Sequence, residues 1–131
     1  MRIKQLSNGL LVAPIEITYN GITHTVEDVV IDTGAVRSIL HVDAVEPLDI
    51  NPSPTDPISR MYGIGGDDFS FRKRMEQVVF AGVALDDMML DFGRIEGING
   101  LIGLDILQRG KFIIDLESLK VYRHIRDCYS E

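Results

Sequence analysis

The residues best placed to do chemistry fall in one stretch, Val29 to Leu40, "VVIDTGAVRSIL". Val29, Val30 and Ile31 form an apolar, β-branched run that reads as a strand. It leads straight into Asp32-Thr33-Gly34-Ala35. A carboxylate, a hydroxyl and a glycine are thus delivered from a strand end into a turn. A carboxylate projecting from a rigid base into a cleft is suited to proton transfer. Taken alone, Asp-Thr-Gly is more often a plain turn between strands. Two further stretches change that balance: Tyr62-Gly63-Ile64-Gly65-Gly66, and Gly100 to Leu107, "GLIGLDIL".

Other groups carry less. The glycine clusters lack the spacing and the lysine of a phosphate-binding loop. Asp91-Phe92-Gly93 reads as a turn, because 131 residues cannot hold a kinase and no His-Arg-Asp is present. Asp67-Asp68 and Asp86-Asp87 lack calcium-loop spacing and read as solvated. His24, His41 and His124 are far apart, so no metal site and no cofactor is expected. Met61, Met75, Met88 and Met89 read as packing residues. Cys128 is the single cysteine, which excludes an intrachain disulfide and gives no catalytic pattern.

The elements that must position Asp32 are mostly strands. Leu10 to Tyr19 and Ile22 to Ile31 flank Asn20-Gly21, a strong hairpin signal. Ile15, Ile17 and Tyr19 alternate with Glu16 and Thr18, so one face is predicted buried. Pro14 predicts an edge or a bulge. Residues 38–48 can hold a short strand and a helical turn, and "DINPSPTDP" is a loop by composition. Residues 59–80 read as a second hairpin with a glycine-rich tip. Short strands are expected around Gly82. "LDILQRG" is the one predicted helix, with Gly110 as its C-cap, and "KFIIDLESLKVYRHI" closes as a hairpin turning near Glu117-Ser118. The expectation is one mostly-β domain over residues 1–131 with a short helix near the C-terminus.

The totals agree with that picture. Hydrophobic residues make up 45% of the chain, enough for one core. A net charge of −7 argues against nucleic acid and against an anionic membrane surface as partners. No apolar run approaches roughly 18 residues, and the N-terminus lacks a signal-peptide core, so a cytoplasmic location is the expectation.

With its three elements in this order, the sequence resembles the retropepsin-like aspartic proteases, retroviral and cellular. "VVIDTGA" matches the strand and active-site turn, "YGIGG" the tip of the flap hairpin, and "GLIGLDIL" the apolar pair and glycine that lead into a helix. The last run looks more like the cellular DNA-damage-inducible members than the viral ones. The resemblance implies a closed or partly open β-barrel with a β-hairpin flap, and aspartic endopeptidase activity. It implies that Asp32, Thr33 and Gly34 are catalytic: Asp32 supplies a carboxylate, Thr33 locks two loops in register, and Gly34 lets backbone approach the substrate. It implies substrate contacts from Ala35, Gly63, Ile64, Gly65, Gly66, Leu101 and Ile102. Gly103 would pack closely against the Asp32 loop.

The reaction needs two carboxylates around one water. Only one Asp-Thr-Gly is present, so the resemblance implies a homodimer acting on a peptide or protein substrate. Ala35 offers no hydroxyl where pepsin-like enzymes often have one, which suits work nearer neutral pH. Val36 and Leu104 are apolar where many viral members pair Asp with Arg, so an apolar contact is expected to replace that pair. Arg37 is read as a solvated loop residue, with contact to an acidic substrate as the sharper alternative. A second functional class remains: a non-catalytic dimeric module of the same fold that binds an extended peptide by β-augmentation.

Overall fold

The computed structural model describes residues 1–63 and 66–124, with backbone alone at 61–63 and 66–68. Ile64, Gly65 and Cys128 lie outside the described residues. The chain runs through β1 (Lys4–Gln5), β2 (Leu11–Tyr19), β3 (Ile22–Ile31), β4 (Ile39–His41), a 3-10 helix (Val42–Leu48), β5 (Ile58–Gly63), β6 (Gly66–Phe80), β7 (Val83–Gly93), β8 (Gly100–Ile102), α1 (Leu104–Arg109), β9 (Phe112–Asp115) and β10 (Lys120–Arg123). Eight strands form one sheet in the order β1-β2-β3-β8-β4-β7-β6-β5. An additional β2–β6 pairing joins the two ends of the central run, so β2, β3, β8, β4, β7 and β6 close into a barrel. The expected mostly-β barrel with a short helix near the C-terminus is what the chain forms, with the 3-10 helix added.

Local chemistry accounts for the turns. Asn20 and Gly21 both take positive φ (49° and 75°), the conformation that matches the twist of a tight hairpin. Ala81 and Gly82 do the same at the β6–β7 turn (50° and 75°). The strands there are long, 15 and 11 residues, rather than the short pieces expected around Gly82. The β2–β3 register shifts between Ala13 and Ile15, so Pro14 does sit at an irregularity, with Asp28 opposite at φ 52°. Gly110 caps α1 but keeps right-handed angles, and Lys111 takes the positive φ instead. Glycine at 110 leaves room for the Phe112 ring: a Cβ there would stand 2.1 Å from it, so the ring would have to shift.

The barrel interior is one apolar cluster. Ile15, Ile17, Val29, Met75, Val78, Phe80, Leu90, Phe92 and Ile106 are fully buried or nearly so within it. Each large side chain contributes roughly 1.5–3 kcal/mol on burial. Met75 and Met88 are core residues, as their pattern suggested. The N-terminal segment is held by β10 and the residue before it: Ile3 N–H donates to Leu119 O at 2.8 Å and Val121 N–H to Met1 O at 2.9 Å. Among the described residues no helix is long and apolar enough to cross a membrane.

Candidate active site

Asp32 leaves the sheet one residue after the last paired position of β3. In β3, Val30 and Ile31 pair in parallel with Leu101 and Ile102 of β8. Asp32 N–H extends that ladder by donating to Ile102 O at 2.9 Å. The turn then closes on itself: Gly34 N–H donates to Asp32 Oδ1 at 2.9 Å, and Ala35 N–H to Asp32 O at 3.2 Å. A Cβ on Gly34 would stand 3.1 Å from that same Oδ1, so glycine keeps the carboxylate's position free. The Asp32 side chain is half-buried, while Thr33 and Gly34 are exposed. Among the described residues the Thr33 hydroxyl has no hydrogen-bond partner.

Residues 35–38 are fastened to the start of α1. Leu104 N–H donates to Ala35 O at 2.8 Å, and Asp105 N–H to Val36 O at 3.1 Å. These satisfy two of the amide groups that a helix N-terminus leaves without an intrahelical partner. Asp105 reaches back: it accepts from Ser38 N–H at 2.9 Å and from Ser38 Oγ–H at 2.6 Å. Gly103 N–H in turn donates to the buried Ser38 Oγ at 2.8 Å. Gly103 is needed for contact, since its Cβ would lie 2.7 Å from Ala35 O. The close packing expected of Gly103 is therefore present.

The residues expected to touch a substrate separate into groups. Leu101 is partly exposed, beside the Asp32 turn. Ile102 is fully buried in the core cluster, so it supports the floor from beneath and cannot line the groove. The alternation of β8 forces this correction, because neighbours in a strand face opposite ways. Ala35 is half-buried in the loop. Gly63 and Gly66 form the last pair of the β5–β6 hairpin. Residues 66–70 of β6 pair only with β5, and pairing with β7 begins at Phe71. The hairpin end thus projects beyond the barrel as a two-stranded arm. An apolar groove of about 540 Å³ lies along the base of that arm between Ile50, Pro52, Ile58, Phe69 and Phe71, and includes no residue of 32–37.

Residues 15–106 match the aspartyl protease family model, well over half of the chain. The chain belongs to the aspartyl protease family. Among solved structures it is similar to a retropepsin-like aspartic protease from Rickettsia conorii, with TM-score 0.67, 20% identity, and 92% of this chain and 87% of that one covered. The retroviral protease-like domain of Ddi1 from Leishmania major gives TM-score 0.60 and 23% identity, covering 87% of each chain. The EIAV protease in complex with an inhibitor gives 0.56 and 20%, covering 81% of this chain and 92% of that one. These likenesses establish a retropepsin-like fold. No curated protein matches the chain.

Two features of this member of the family depart from what its sequence suggested. Asp91-Phe92-Gly93 is not a turn. It is the end of β7, paired in parallel with β4 and antiparallel with β6. Arg37 is not simply solvated either. Its Nε lies 3.1 Å from Asp91 Oδ2, and its Nη2 donates to Ser59 Oγ on β5 at 2.9 Å. Arg72 Nε approaches the other Asp91 oxygen at 3.3 Å without hydrogen-bond alignment. Val36 is 73% exposed, and it and Leu104 border one shared surface depression. The Asp91 carboxylate thus faces Arg37 of the Asp32 loop and Arg72 of β6, and Arg37 in turn links that loop to β5 through Ser59.

Burial holds the Asp91 carboxyl above the ordinary carboxylate value of 3.8, while the charges of Arg37 and Arg72 pull it down. Because the folded chain binds this proton more tightly than the unfolded chain, Asp91 adds stability below the unfolded value. That stability is lost as pH rises through the folded value. Asp91→Asn removes the titration. The variant should therefore gain on wild type as pH rises from about 4 into the mildly acidic range, read by urea denaturation at a series of pH values. A pH-independent difference would contradict the raised proton affinity.

Proposed function

We propose that the chain is an aspartic endopeptidase active as a homodimer. The observation that carries this is the Asp32 turn, present once per chain: two backbone hydrogen bonds fix Asp32 at a strand end, and its half-buried carboxylate accepts a third from the Gly34 amide. Two such turns related by a two-fold axis bring two carboxylates around one water. Like charges so close hold one proton between them. The ionised carboxylate takes a proton from the water as its oxygen attacks the scissile carbonyl carbon. The protonated one donates to the carbonyl oxygen. The tetrahedral intermediate then collapses: the carboxylate now protonated gives its proton to the leaving nitrogen as the C–N bond breaks, and the other takes a proton from one of the two hydroxyls, which restores the single shared proton. Thr33, exposed and without a hydrogen-bond partner among the described residues, is available to bond the opposite loop. The projecting β5–β6 arm, with Gly63 and Gly66 at its end, serves as a lid that excludes water. Leu101 forms part of a side-chain pocket.

The test is a peptide carrying a non-cleavable central hydroxyl that mimics the tetrahedral intermediate. Held at about 100 times its Kd, it should stabilise the folded protein by roughly 2.7 kcal/mol, seen as a raised Tm. The matched peptide without the hydroxyl should bind far more weakly, and Asp32→Asn should erase the difference. Equal shifts from both peptides would favour a peptide-binding module over an enzyme.

A further inference from the structure

Immediately outside the Asp32 turn, Val36, Arg37, Arg72, Met89, Leu104 and Arg109 border a depression of about 400 Å³. Its charge is unusual for a chain of net charge −7. Asp91 is shared by Arg37 and Arg72, so one buried carboxylate faces two guanidinium groups. Arg109 donates to the backbone oxygen of Asp86 and pairs with no carboxylate among the described residues. Asp105 also lines the depression and keeps its charge while it accepts from Ser38 and the Ile106 amide, so three guanidinium groups there face two carboxylates. Close by, Asp86 accepts from Gln77 and Asp87 pairs with Arg74. Beyond Arg109 the cationic surface continues along a second depression bordered by Lys111, Arg123 and His124. Arg37 is the hinge of this arrangement. It sits on the Asp32 loop, keeps guanidinium N–H groups beyond those used by Asp91 and Ser59, and its side chain is 40% exposed.

We propose that this depression is a subsite for an acidic side chain of the bound peptide, placed several residues from the scissile bond. The proposal rests on the peptidase reading given above. Arg37, Arg72 and Arg109 together outnumber Asp91 and Asp105 by one positive charge, and Val36, Met89 and Leu104 offer an apolar wall for the methylene stem of a glutamate. A forked guanidinium matches a carboxylate in two places, which favours Glu or Asp over a neutral isostere. An acidic run would continue outward past Lys111 and Arg123.

The experiment uses matched peptides with a non-cleavable hydroxyethylene centre, carrying Glu or Gln in turn at each outer position, with Kd read by fluorescence anisotropy. At one or more positions Glu should bind wild type roughly fivefold tighter than Gln at low salt, the upper range for a partly exposed ion pair. That preference should shrink in roughly 0.5 M salt. It should fall towards unity in Arg37→Gln and in Arg109→Gln, and grow in Asp91→Asn, which leaves both arginines uncompensated. Arg109 is exposed and away from the Asp32 turn, so its variant keeps the test open if Arg37→Gln fails to fold. Equal Kd values for Glu and Gln at every position, a preference that both arginine variants retain, or no peptide binding at all would overturn the subsite. Cleavable peptides separate the two readings. Turnover with no Glu preference keeps the peptidase and removes the subsite. A Glu preference in Kd without turnover keeps the subsite and removes the peptidase.

Discussion

Asp32→Asn lowers kcat/KM by about 10³-fold or more, because a neutral amide cannot take the proton from the attacking water. The substitution is close to isosteric, and Asn can still accept the Gly34 amide that Asp32 Oδ1 accepts at 2.9 Å. The variant is therefore expected to fold. It should also dimerise, since a close pair of carboxylates is relieved of its repulsion. The same variant counts carboxylates per site. Equal amounts of wild type and Asp32→Asn, allowed to exchange subunits, give roughly a quarter wild-type dimers, a half mixed and a quarter mutant. Mixed dimers own one ionisable Asp32 at their shared site and should be nearly inactive. Total activity should then fall to about half that of the unmixed wild-type portion. Activity unchanged by mixing, with exchange verified by mass spectrometry of tagged subunits, would show that each chain works alone.

Gly103→Ala should damage both stability and activity from a position that carries no functional group. The backbone at Gly103 has φ −99°, which any residue adopts, so the cost is one of space. The added methyl would meet Ala35 O at 2.7 Å and the Arg37 carbonyl carbon at 3.0 Å, both of them backbone atoms that cannot rotate away. Relief requires the 35–37 segment to move outward. That movement strains the 2.8 Å bond from Leu104 N–H to Ala35 O, the 3.1 Å bond from Asp105 N–H to Val36 O, and the Gly103–Ser38 contact. Overpacking of this kind costs about 2 kcal/mol, or a fall in Tm of roughly 8 °C for a chain of this size. Because that segment is bonded back to Asp32 through the Ala35 N–H, kcat should drop by about 10²-fold through misplacement of the carboxylate. A Gly103→Ala protein with wild-type Tm and turnover would show that the loop has room that the structure denies it.

The sequence by itself determined the parts of this protein whose cause is local. A β-branched run ending in Asp-Thr-Gly makes a strand and a turn wherever it occurs, and Asn20-Gly21 closes a hairpin because both residues tolerate positive φ. Alternation along Ile15, Ile17 and Tyr19 marked a buried face without knowledge of what would cover it. The order of the Asp32 turn, the glycine-rich hairpin end and the Gly100–Leu107 run was sufficient to indicate the family, since each reads off neighbouring residues. Tertiary structure alone decided what depends on partners distant in the chain. Asp91 looked like a turn residue because Asp and Gly are common in turns, yet ladders with β4 and β6 on both sides fix it in a strand. Only then does its carboxylate meet Arg37 from one direction and Arg72 from another. Ile102 looked equivalent to Leu101 in an apolar pair, and only the pleat of β8 between β3 and β4 turns one inward and leaves the other partly exposed. Composition fixes what a segment prefers, but a buried charge must find its counterion in space, and no local rule names a partner on another strand.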